Sequence, residues 1–126
     1  MSSLLSPSEL MLEVDRELSH VWMVRAFLKH SEEAQEDDEL AEVHRELYDY
    51  MLALGGPLKV ADAEAYLNLA RKKLGRLVKA EQLFAEIQPE ISGHTNFQMA
   101  AASLKRSVQK IQHLLAEPHS SALPSE

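Results

Sequence analysis

The chain has 126 residues, 45% of them hydrophobic and 6% aromatic, with no cysteine and a formal net charge of −7. That length allows one sizeable core and is short for two. The missing cysteines exclude a disulfide framework, a thiolate zinc site, an iron–sulfur cluster and a cysteine nucleophile. The acidic balance argues against general nucleic-acid binding.

Leu, Ala, Glu, Lys and Arg dominate, the composition of long helices. The charge is lopsided along the chain. Residues 1–64 carry 15 acids and 5 bases, a net −10, and residues 65–126 carry 5 acids and 8 bases, a net +3. The opening MSSLLSPSEL has no basic start and no long apolar run, so it does not read as a signal peptide. No stretch reaches the roughly 20 apolar residues that a membrane span requires. The expected location is cytoplasmic, with no membrane association.

Residues 1–5 are expected to be flexible. The first helix is announced by Ser6-Pro7-Ser8-Glu9: Ser at the N-cap, Pro at the first helical position and Glu at the third, a capping box. Leu10, Val14, Leu18, Val21, Val24 or Arg25, and Leu28 follow at helical spacing, which predicts a helix over about 7–35. Between Val21 and Leu28 it is apolar nearly all round, the pattern of a helix buried on most sides. Then six acids crowd residues 32–39. Acids suit a helix start and not a helix end, because of the macrodipole. A break is therefore expected near Gln35 to Asp37, with Asp37 or Asp38 capping the next helix.

Helix two is predicted over 38–54, with a seam of Leu40, Val43, Leu47, Tyr50 and Leu54. Gly55-Gly56-Pro57 should stop it. Asp62 should cap a third helix over 62–88, whose seam changes phase between Leu77 and Ala80. Pro89 should end or kink it. Thr95 or Asn96 should cap a fourth helix over 96–116, with Phe97, Ala101, Leu104, Val108, Ile111 and Leu115 as its seam. The tail from 117 to 126 has too little apolar surface to offset its ordering entropy and is expected to be disordered. The sequence thus reads as all-α: an antiparallel up-down four-helix bundle over 6–116.

Four features bear on function. The first is metal chemistry. A di-metal site in a bundle needs two Glu-x-x-His pairs, each placing carboxylate and imidazole on one face. Only Glu17-Leu18-Ser19-His20 has that form, with Glu13 one turn earlier. His20 and His30 point about 80° apart and lie roughly 15 Å apart along a helix, so they do not share an ion. Glu13, Glu17 and His20 are the alternative metal set, and no cofactor is expected.

The second is Arg106 and His113, with six residues between them on helix four. This spacing resembles the Arg-x(4–6)-His signature of HEPN domains, small four-helix bundles of which many cleave RNA as dimers. The resemblance covers eight residues, and Ser107 stands where the family often has Asn, Asp or His. It implies a ribonuclease in which Arg106 holds the scissile phosphate and His113 acts as acid or base.

The third is a basic patch of Arg71, Lys72, Lys73, Arg76 and Lys79. Lys72, Arg76 and Lys79 share a stripe that suits a phosphate, an acidic partner or the acidic first half of the same chain. The fourth is the apolar surplus of helix one. Val21, Trp22, Met23 and Phe27 suit an interface core. With no concentrated catalytic set, the sequence points to a non-enzymatic protein that self-associates or serves as an adaptor for another protein.

Overall fold

The computed structural model describes residues 4–116, and they are all-helical. Six helices are present among them: α1 (Pro7–Lys29), α2 (Glu32–Glu36), α3 (Asp38–Lys59), α4 (Ala63–Lys72), α5 (Leu74–Ile91) and α6 (Thr95–Ala116). The expected tail at 117–126 and most of the expected flexible start lie outside the described residues.

The caps explain most of the boundaries. Ser6 and Glu9 form the reciprocal capping box, with Glu9 N–H to Ser6 Oγ at 3.1 Å and Ser6 N–H to Glu9 Oε1 at 2.9 Å. Asp37 accepts from Leu40 N–H, and Asp62 from Ala65 N–H. Helix one does not reach Gln35. It ends at Lys29, and Ser31 starts the one-turn α2 by accepting from Ala34 N–H. Ser31 followed by Glu32 and Glu33 is itself a helix-start signal, and it outcompetes continuation. At α6 the cap is neither Thr95 nor Asn96. His94 Nδ1 accepts from Asn96 N–H at 3.0 Å.

Pro57 was expected to stop a helix and Pro89 to end or kink one, and neither ends its helix. α3 continues through Gly55-Gly56-Pro57 to Lys59, and α5 continues through Pro89 to Ile91. Each proline forfeits one ladder bond, to the carbonyl four residues back, but only in the last turn of its helix. Gly56 has no Cβ to meet the ring of Pro57, the clash that usually keeps the preceding residue out of a helix. α3 instead closes with a Schellman motif. Asp62 N–H bonds Pro57 O at 2.9 Å, and Ala61 N–H bonds Leu58 O at 3.0 Å. The left-handed residue that this motif requires is Ala61, at φ 56°.

The expected third helix is two helices broken at Lys73. From Leu67 to Ile87 the buried seam drifts about 160° round a straight helix, so one unbroken rod cannot bury both ends. The break resets the phase. Leu67 and Ala70 are buried on one side of it, and Leu77, Ala80, Phe84 and Ile87 on the other.

One continuous core joins the long helices. α1 packs against α3 and α6, α5 packs against the same two, and α4 bridges α3 and α1. Buried tyrosines fasten α4. Tyr50 Oη donates to Ala70 O at 2.9 Å, and Tyr66 Oη lies 3.4 Å from Asp15 Oδ1. Burial, and for Tyr66 also the Asp15 carboxylate, pushes both phenols up, so they stay protonated donors.

Placing alanine in the left-handed region costs roughly 1 kcal/mol relative to glycine. Ala61→Gly is therefore expected to raise the thermal unfolding midpoint by a few degrees, as read by circular dichroism. A lowered midpoint would contradict the Schellman assignment.

Candidate functional site at the α1–α3 seam

The heptad spacing of α1 runs Val14, Leu18, Val21, Arg25, Leu28, so Arg25 occupies a seam position between buried aliphatics. It is 7% exposed. Its guanidinium carbon lies 4.0 Å from the centroid of the Trp22 ring and 5.2 Å from that of Tyr48. The two rings are themselves 6.3 Å apart. Cation–π attraction of about 0.5–2 kcal/mol per ring is the compensation available to the charge here.

The other partner is His44. Arg25 Nη1 is 3.2 Å from His44 Nε2. A guanidinium only donates, so Nε2 accepts, and His44 is the neutral tautomer with its proton on Nδ1. Burial, then the positive charge of Arg25, pulls the His44 pKa below its ordinary 6.5, and Lys29, Arg45 and His30 act in the same direction. Arg25 Nε is buried and has no hydrogen-bond partner among the described residues.

Arg25 meets His44 while Trp22 meets Tyr48, so numbering rises along α1 as it falls along α3. Following the pair away from Arg25 leads into an open hollow of about 380 Å³. Leu18, Trp22, Met51, Leu54 and Leu58 give it an apolar lining, Gly55 leaves room in its wall, and Asp15 lies at the far end. Two large apolar side chains of its lining are open to solvent: Trp22 is 44% exposed and Leu52 62%.

The four residues proposed for an interface on α1 therefore divide. Val21 is fully buried in the core. Phe27 packs edge-on against Phe97 of α6, with centroids 4.9 Å apart. Trp22 and Met23 are at the surface. The apolar surplus of α1 is not all absorbed by its neighbours: Trp22 lines the hollow, and Met23 is exposed outside its lining.

The basic patch divides too. Arg71 Nε donates to Leu115 O at 3.0 Å, closing the last turn of α6 with a cation where the dipole favours one. Arg76 Nη1 lies 4.0 Å from Glu46 Oε1 of α3; Arg76 is exposed, while Glu46 is half-buried and its Oε1 is buried with no hydrogen-bond partner among the described residues. Arg76 and Lys79 line one hollow with Glu42 and Glu46. Lys72 is exposed on α4.

Arg106 and His113 are both exposed on one side of α6, about 10 Å apart along the axis. Arg106 shares a hollow with Glu17 and His20 of α1. Glu13 turns to Arg16, at 3.4 Å. Among the described residues no three His, Cys, Asp or Glu side chains converge closely enough to hold a metal ion, and none of the helices is long and apolar enough to cross a membrane.

The Arg25–His44–Tyr48 cluster was not singled out in the sequence, although its signal was present. Arg25 is a charge at a seam position, and His44 and Tyr48 are one turn apart on the facing helix. No family model matches this chain, no curated protein matches it, and no solved structure matches it.

Because folding lowers the His44 pKa, the unfolded chain binds the proton more readily, and stability is full above 6.5 and falls as the pH drops below it. Urea midpoints measured from about pH 7.5 down to about pH 5.5 should decline. His44→Gln, which keeps an acceptor for Arg25, should flatten that decline. An unchanged slope in the variant would remove His44 as its source.

Proposed function

We propose that this is a non-enzymatic helical interaction protein that works in the cytoplasm, by self-association or as an adaptor, through the α1–α3 face. In this reading α1, α3, α5 and α6 are the four bars of an up-down scaffold, and α4 is an added brace. The observation that carries it is the exposed set of Trp22, Tyr48 and Leu52 lining an apolar hollow, with exposed Met23 next to Trp22 in the chain. Exposed Trp and Tyr grouped in an apolar concavity have the composition of an interface core. Neighbouring helices have not claimed these side chains, so burying them is still available to a partner.

Native mass spectrometry on gently purified protein tests the reading. A multimer or a defined complex is expected, and Met23→Glu with Leu52→Glu should weaken it at least tenfold, about 1.4 kcal/mol or more. Both side chains are exposed, so the monomer should keep its helical circular dichroism. Val21→Glu, by contrast, should unfold the chain, because it buries a charge in the core. A wild-type monomer without a bound protein, or an assembly indifferent to the double variant, would overturn the reading.

A further inference from the structure

Residues 1–64 are strongly acidic, yet three of their five bases, Arg25, Lys29 and Arg45, gather with His30 and His44 at one end of the α1–α3 groove. Arg25 and Lys29 of α1, the cap residue His30, and Arg45 of its own helix all disfavour a charge on His44. None of Arg25, Lys29 and Arg45 is paired with a carboxylate among the described residues. A buried guanidinium without a counter-charge is costly to retain, and this one also has an unpartnered Nε. On the other side of the Trp22–Tyr48 pair lies the apolar hollow, with room above Gly55. An apolar slot between two helices, ending in positive charge that no carboxylate pairs, is complementary to one chemical pattern.

We infer that the occupant of the groove is an amphipathic acidic helix of a partner protein, its apolar side chains seated between Leu18 and Leu58 and its carboxylates at the Arg25 end. Exposed Lys29 and Arg45 meet those carboxylates, and Arg25 supplies the field from beneath. The helix completes a three-helix packing with α1 and α3, the groove mode of peptide recognition. Charge sets its direction and its choice of partner. This inference rests on the association reading and assigns the partner's chemistry.

Trp22 is the only tryptophan in the chain and stands between the hollow and the cations, so its emission reports on the groove. The probes are two synthetic amphipathic helices with the same leucine face, one carrying glutamates at one end and the other lysines in the same positions. The glutamate peptide is expected to shift Trp22 emission saturably, with an affinity that falls as salt is raised, and the lysine peptide to bind at least tenfold more weakly. Lys29→Glu with Arg45→Glu, both surface changes, should reverse the preference. Equal binding of the two peptides, or binding of neither, would overturn the assignment. So would a Trp22 shift that depends only on the concentration of the chain itself, which would give the groove to a second copy. If the Met23 and Leu52 variant still breaks the native assembly while the peptides are not discriminated, the association reading stands and only the acidic occupant is lost.

Discussion

A guanidinium held between two helices with no carboxylate beside it is the constraint around which the α1–α3 face is organised. Arg25 has three compensations: the ring of Trp22, the ring of Tyr48 and the lone pair of His44. Each restricts its donor. Trp22 and Tyr48 stay near the surface, because their faces are turned to the charge, and His44 must stay neutral. The exposed aromatics of this face are therefore held in place from below.

In the proposed reading the same cluster connects packing to recognition. Aliphatics at the other seam positions of α1 disappear into the core, as Val14, Val21 and Leu28 do. The charge at the Arg25 seam position keeps that part of the helix pair polar beneath and aromatic above. Next to it, Gly55 leaves the wall of α3 open, and the hollow forms there. An anchor of positive charge and an apolar seat thus lie side by side on two helices. Their own packing against α4, α5 and α6 keeps them rigid, as a preorganised binding surface requires.

Much of this was legible in the sequence where a single local rule governs. The Ser6–Glu9 capping box, the Asp37 and Asp62 caps and the buried seam of α3 are local signals, and tertiary structure had no reason to override them. The prolines were less legible. Their cost depends on how close they lie to a helix end, and that end was moved to Ala61 by hydrogen bonds the sequence does not display. The Lys73 break was foreshadowed by a drifting seam, whose meaning depends on which neighbours the helix must touch. The site was the least legible part. Val21, Trp22, Met23 and Phe27 formed a single apolar surplus in the sequence, and only the neighbours of α1 separate core from surface. Arg25 stands in the middle of that run, and its seam position is what places it beneath the aromatics.

The central claim is that the α1–α3 face is the part of the molecule that becomes covered when the protein works. Acrylamide quenching of Trp22 tests it directly, because the chain has no other tryptophan. Trp22 should be readily quenched in the isolated chain, where its side chain is partly open, and several-fold less so in the native assembly. Equal quenching in both would mean that assembly leaves this face bare, and the account of the site would be wrong.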